Sequence, residues 1–319
     1  MKTKLQQLNI RDIGHICRLL GTNRKELAGI CAGPERYYKQ ETRLIKGKPR
    51  PIATPHGRLR DILDKLKTLL NRIELPEYFY GGVPRKSHIT NAAQHTHRPS
   101  QLKLDLKDFF PSVSHHRVYQ VFAQRLGCTA DVARILTQLT TLNGCLPQGS
   151  PTSTVLANLA IEDLGKRFKG LADAHNSKYT QFVDDGNLTG PKHLVRLKGL
   201  AAKMVRQEGF AVNTKKLQAI GAEGEQVVTG VRVNNQIDIP SAKLAELKRC
   251  VEQLVSEIRS GRLPSLKQLR SIEGKLRSAA FLNYGAIKPL QRRLNKAIRT
   301  LHSQALVRPE SSVRGLRGE

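Results

Sequence analysis

Residues 178–190 read KYTQFVDDGNLTG, two strand-like runs around Asp184, Asp185 and Gly186. Asp-Asp-Gly between strand formers predicts a β-hairpin whose turn carries two adjacent carboxylates. Taken alone, this is ordinary turn chemistry. Upstream, residues 101–107, QLKLDLK, set Leu102, Leu104 and Leu106 on one face and Lys103 and Asp105 on the other. That alternation predicts a half-buried strand ending in a carboxylate. A strand lying beside the hairpin would bring Asp105 to Asp184 and Asp185. Three carboxylates so placed repel one another unless a cation sits among them. Two Mg²⁺ ions about 3.5–4 Å apart would relieve the repulsion and clamp both oxygens of an in-line phosphoryl displacement.

Outward from these strands the periodicities are mixed. Residues 5–33 read as short helices, and residues 58–73 as an amphipathic helix carried by Leu59, Ile62, Leu63, Leu66, Leu69, Leu70 and Ile73. Residues 43–54, RLIKGKPRPIAT, predict a basic two-stranded element around Gly47, bearing Lys46, Lys48 and Arg50. Ser87 is placed to cap a helix over 87–97. Residues 115–142 read as helices, 144–151 as a loop, 152–168 and 191–208 as helices. Short strands are expected near 210–220, 226–233 and 236–239. From 241 to about 306 the pattern is helical, broken at 261–264, and the tail 307–319 with Arg308, Arg314 and Arg317 reads as loose.

The 319 residues carry 54 Lys+Arg against 26 Asp+Glu, a formal net charge of +28. A charge of that size points to a polyanionic partner, nucleic acid first. The charge is uneven: residues 1–100 hold +12, 101–239 hold +5 and 240–319 hold +11. The least basic part is the part with the carboxylate motifs, as a metal-dependent enzyme acting on nucleic acid requires. No run of 18 apolar residues suggests a membrane helix, and the first thirty residues lack the apolar core of a secretory signal. Five scattered cysteines without CxxC spacing fit reduced thiols in the cytoplasm and offer neither a disulfide framework nor a zinc site.

Four segments in order carry a family resemblance: DLKDFFPSV (105–113), LPQGSPTSTVLANL (146–159), FVDD (182–185) and VNTKKLQ (212–218). Over roughly residues 43–240 the chain resembles a reverse transcriptase. NAAQH (91–95) resembles the NAxxH signature of bacterial retron reverse transcriptases, and VTG (228–230) resembles their VTG signature. One departure is Phe182, where the family usually has Tyr before the paired Asp.

The resemblance implies an α+β right-hand polymerase with fingers, a palm built on a small antiparallel sheet, and a helical thumb. Residues 1–100 would form N-terminal helices and fingers, 101–240 the palm with a helical insertion at about 115–145, and 241–319 the thumb and basic tail. Asp105, Asp184 and Asp185 would be the catalytic metal ligands for two Mg²⁺ ions, with the Leu106 carbonyl as an added oxygen. Arg50, Phe110, Gln148, Gly149 and Lys216 would bind the nucleotide, Phe110 as the gate against a ribose 2′-OH. Lys215 leaves the register of the lysine uncertain by one. Asn91, His95, Thr229, Gly230, Lys243, Arg249, Arg270, Lys275, Arg292 and Arg293 would lie against RNA or primer, with a supporting role favoured for Asn91 and His95. The implied partners are a cognate non-coding RNA and its DNA product, dNTPs and a retron effector protein in anti-phage defence, with no membrane. The competing readings are a non-retron bacterial defence or abortive-infection reverse transcriptase, and a non-catalytic RNA-binding protein.

Overall fold

The computed structural model describes residues 5–45, 47–262 and 264–307; Lys46 and the tail arginines Arg308, Arg314 and Arg317 lie outside the described residues. Asp12 starts α1 (Ile13–Leu20), its carboxylate accepting from the His15 N–H at 2.8 Å, and Asn23 caps α2 (Arg24–Ala32) in the same way. Residues 5–12 are not helical as expected. The N–H groups of Leu5, Leu8 and Asn9 are taken by the carbonyls of Arg72 and Leu126, which holds the segment extended across the body.

The basic element is a long hairpin, β1 (Tyr38–Ile45) with β2 (Lys48–Pro55), paired from Tyr38↔Pro55 to Ile45↔Lys48. Next, α3 (Gly57–Leu70) buries Leu59, Ile62, Leu63, Leu66 and Leu70, the stripe read from sequence. A capping box between Ser87 and Thr90 opens α4 (His88–Ala92). The chain continues through β3 (Ser100–Asp105), α5 (Phe109–Ser112), α6 (His115–Gln120) and α7 (Ala130–Thr140). The single helix expected over 152–168 is two, α8 (Ser153–Ala160) and α9 (Glu162–Ala174), redirected at Ile161, which is itself buried in the core.

Then come β4 (Lys178–Phe182), β5 (Asp185–Gly190), α10 (Lys198–Gln207) and β6 (Gln218–Ile220). The sheet runs β4-β5-β3-β6 and every neighbouring pair is antiparallel. The half-buried reading of β3 gives way to a central strand: Gln101, Leu102, Leu104 and Asp105 are all buried, because β5 and β6 flank it and helices cover the sheet. A two-stranded hairpin, β7 (Val227–Val228) with β8 (Val231–Arg232), leads to three helices, α11 (Ser241–Arg259), α12 (Leu266–Ala280) and α13 (Tyr284–Val307).

The apolar packing follows this division. One continuous core runs from Ile10 to Leu217 and joins the N-terminal helices to the sheet. A second core, Ile239 to Ala297, belongs to α11–α13. Between them lies a small cluster of Ala92, Val228, Val231 and Val233, and Leu282 packs against both it and the second core. The architecture is the α+β right hand: a basic hairpin as fingers, an antiparallel palm and a three-helix thumb. Among the described residues no helix is long and apolar enough to cross a membrane.

Candidate active site

Register places the first carboxylate. β3 and β5 pair so that Asp105 stands opposite Asp185, and the Leu106 N–H donates to the Asp184 carbonyl at 3.0 Å. Asp184 belongs to the two-residue connection Val183–Asp184. Asp185 and Gly186 are already in β5, so the expected Asp-Asp-Gly turn lies one residue too far along. Val183 adopts φ 57°, a left-handed conformation costly for a β-branched residue. Three contacts hold it there. The Gln181 amide donates to the Val183 carbonyl at 2.8 Å, while the Tyr179 hydroxyl donates to the Gln181 side-chain oxygen at 2.7 Å. Gly81 lies so close that a Cβ on it would stand 2.5 Å from the Val183 nitrogen. Asn158 donates to the Gly81 carbonyl at 2.8 Å, tying that glycine to α8.

Charge is concentrated around this turn. Burial pushes the Asp185 carboxyl up to about 6, with the negative charges of Asp184 and Asp105 adding to the effect and Lys103 and Lys216 opposing it. Asp184 is raised for the same reasons, burial first and Asp105 second, with Lys216 and Arg50 countering. Lys216 forms an ion pair with Asp105, and Asn213 donates to the other Asp105 oxygen at 3.0 Å. Burial works against the Lys216 ammonium, but the Asp105 hydrogen bond and the nearby carboxylates raise its pKa overall. Of the two candidate lysines, Lys216 reaches the site and Lys215 is exposed.

The donors fit a hard divalent cation. They are carboxylate oxygens, half-buried or buried, and burial and mutual repulsion hold two of the carboxyls toward the protonated form. Among the described residues no three His, Cys, Asp or Glu side chains already converge as a ligand set; the Lys216 ammonium is the cation beside Asp105.

Arg50 faces Arg43 across the β1–β2 hairpin and its charge reaches Asp184. Phe110 is half-buried, its ring centre 5.7 Å from that of Phe109, which is in the core as expected. Gln148 lines a cavity of about 440 Å³ with Ile52, Ala53, Pro111 and Leu146, and its carbonyl accepts from the Ala53 N–H at 2.8 Å. The close approach at Gly149 is made by β2 rather than by open space for a ligand: at φ 119° a Cβ there would meet the Ala53 carbonyl oxygen at 2.9 Å.

Of the residues expected near RNA or primer, Asn91 and His95 are turned inward, as the favoured supporting role requires. Both are fully buried. His95 sits behind the β4–β5 hairpin, Nε2 at 2.7 Å from the Thr180 hydroxyl in β4 and Nδ1 at 2.8 Å from the Thr189 hydroxyl in β5. Asn91 donates to Thr229 Oγ1 at 3.4 Å, and that hydroxyl donates to the His88 carbonyl at 2.9 Å. The NAAQH and VTG segments therefore meet each other. Thr229 and Gly230 form the β7–β8 turn at φ 46° and 80°, with Gly230 exposed.

Lys243, Arg249, Arg270, Lys275, Arg292 and Arg293 are exposed on the three C-terminal helices. Lys275 and Arg293 are turned toward glutamates of α11, 3.8 Å from Glu246 and 3.5 Å from Glu252. Sequence reasoning missed Asn213, Gln181 and Gly81 as supports of the carboxylates. Asn213 was within the quoted VNTKKLQ, but nothing in a sequence says which polar residue faces a neighbouring strand.

Residues 38–233 match the family model described as reverse transcriptase (RNA-dependent DNA polymerase). Curated relatives include the retron Mx65 reverse transcriptase of Myxococcus xanthus, 35% identical over 228 residues, which are 65% of this chain and 53% of that protein. The retron Ec86 reverse transcriptase of Escherichia coli is 28% identical over 250 residues, 77% of this chain and 78% of that one. The retron Se72 reverse transcriptase of Salmonella heidelberg is 29% identical over 224 residues, 67% and 59% of the two chains. The match thus spans about half the length of the Myxococcus protein and three fifths of the Salmonella one. With its carboxylates paired across the palm sheet, the chain belongs to the reverse transcriptase family, and the relatives it matches there are bacterial retron reverse transcriptases.

Proposed function

We propose that this chain is a retron-type RNA-directed DNA polymerase that copies part of a cognate structured non-coding RNA into single-stranded, RNA-linked DNA, and that it acts in anti-phage defence with an effector protein. One observation carries the reading: Asp105 and Asp185 face each other across β3 and β5, with Asp184 beside them and Lys216 against Asp105. A protein that only binds RNA has no use for a half-buried carboxylate group at the centre of a basic molecule.

Asp105, Asp184 and Asp185, with the Leu106 carbonyl, would hold two Mg²⁺ ions. Bound there, Mg²⁺ would favour the ionised primer hydroxyl and neutralise the triphosphate. Lys216 stays protonated because the carboxylates raise its pKa, so it can neutralise or protonate departing pyrophosphate. Arg50 offers a planar guanidinium for triphosphate and base. Phe110 excludes a 2′-OH by bulk, and Gln148 contributes an amide to the nucleotide pocket. The Thr229–Gly230 turn supports the primer strand, while Lys243, Arg249, Arg270 and Arg292 meet duplex phosphates.

The test uses purified protein with an RNA template, a primer and dNTPs. Asp184→Asn/Asp185→Asn should abolish primer extension, a loss of at least about 10³-fold, while RNA is still retained at low salt. Unchanged DNA synthesis by the double variant would overturn the assignment.

A further inference from the structure

The turn between α12 and α13 is pinned yet presents two aromatic rings to solvent. Leu282 is packed between the thumb core and the β7–β8 cluster. Asn283 donates to Asp238 Oδ1 at 3.0 Å and accepts from the Ala286 N–H at 2.9 Å, which opens α13. The residues on either side point outward: Phe281 is 77% and Tyr284 58% exposed. Among the described residues they are the exposed aromatics; the other Phe and Tyr side chains are buried or half-buried. The fold does not need two rings there, because Leu282 and Asn283 already fix the turn.

Their surroundings are cationic. The Lys288 ammonium lies 5.2 Å from the Tyr284 ring centre, one helical turn along α13. On α12, Arg270 and Arg277 fall on the stripe that ends at Phe281, and the exposed Glu273 lies on it between them. The sequence of α13 contains no acidic residue. An exposed ring with an ammonium over it, beside a second exposed ring and an exposed arginine one helical turn away, suits a ligand with a π-face and a phosphate backbone.

We infer that Phe281 and Tyr284 form a stacking platform for an unpaired nucleotide of bound RNA, at the joint between palm and thumb. Arg277 and Lys288 take the flanking phosphates, and the rings take the base. The ligand is a bulged or looped-out base on a structured RNA, since a fully paired duplex keeps its bases inside the stack. The choice of RNA rests on the polymerase reading above, but the site is tested without dNTPs or catalysis, so the two ideas fail separately.

The experiment measures binding of the full chain to an RNA hairpin carrying one bulged 2-aminopurine, against the same hairpin fully paired. Stacking on the platform should quench the 2-aminopurine. Phe281→Ala/Tyr284→Ala should weaken binding of the bulged hairpin by about 5- to 100-fold and leave the paired hairpin unaffected. The slope of log affinity against log salt should not change, because no phosphate contact is lost. Phe281→Tyr/Tyr284→Phe should restore both affinity and quenching. Undiminished affinity for the bulged hairpin, or an equal loss on both hairpins, would overturn the proposal. So would a wild-type dimer that the alanine variant splits, which would mean that the rings seal a second copy of the chain.

Discussion

His95 stands between the two strands that carry the paired aspartates, one ring nitrogen on Thr180 and the other on Thr189. Either hydroxyl can donate or accept, so a neutral ring satisfies both contacts, one nitrogen donating and the other accepting. Burial is the main cause that lowers its pKa from 6.5 to about 3, with Lys178 and Arg98 adding to it. The unfolded chain therefore binds a proton that the folded chain refuses, and this contribution to stability is complete above pH 6.5 and lost as the pH falls toward 3. His95→Ala should cost about 2–4 kcal/mol at pH 7.5, since two buried hydroxyls lose their partner. By urea denaturation, about 2 kcal/mol of that cost should vanish between pH 6.5 and 5. A cost that does not vary with pH would show that the ring is not held neutral. At this scale the sequence was most legible in which charged residues lie together, Asp105 opposite Asp185 and Lys216 against Asp105. It was least legible at Asn213, Gln181 and Gly81, because nothing in a sequence says which residue faces a neighbouring strand or turn.

The β4–β5 hairpin shows what an element adds to its residues. Asp-Asp-Gly has the composition of a turn, yet the turn centre is Val183–Asp184, because the pairing of β5 with both β3 and β4 fixes Asp185 and Gly186 inside the strand. Local propensity is overruled by register, and the loop bearing Gly81 keeps Val183 left-handed. The split of α8 from α9 at Ile161 was hidden for a similar reason: an apolar run looks the same whether its axis continues or bends. Gly81→Ala would put a methyl group against the Val183 backbone, so the hairpin must shift. We expect primer extension to fall at least about tenfold while RNA binding and the circular-dichroism spectrum are kept. Full activity in this variant would mean that the turn tolerates displacement and that its left-handed residue is incidental.

Across the whole molecule, the uneven charge read from the sequence corresponds to a basic β1–β2 hairpin and basic C-terminal helices, with the carboxylates gathered on the sheet between them in the chain. The C-terminal helices were legible with their break at 261–264 because their apolar stripes are long and regular, but the second break, at 281–283 between α12 and α13, was not. The separate core of α11–α13 was not, because contacts between distant segments leave no trace in local periodicity. Lys275 and Arg293 are partly matched by exposed glutamates, pairs worth little in water and readily exchanged for phosphate. RNA affinity measured by fluorescence anisotropy should therefore drop by about 10³-fold or more between 50 and 200 mM salt, as expected when some 6–10 phosphates are neutralised. An affinity that stays flat would contradict the basic-surface reading.

The pairing of Asp105 with Asp185 also governs the order in which the molecule can be made. β3 leaves the ribosome well before its partner β5, and β6, on its other edge, follows later still. Until those segments emerge, the nascent chain holds a central strand with both edges open. The fingers hairpin and the early helices close through local contacts and can form at once. The carboxylate centre is thus assembled late in synthesis, and a chaperone that shields β3 during that interval would raise the yield of active protein more than the yield of soluble protein.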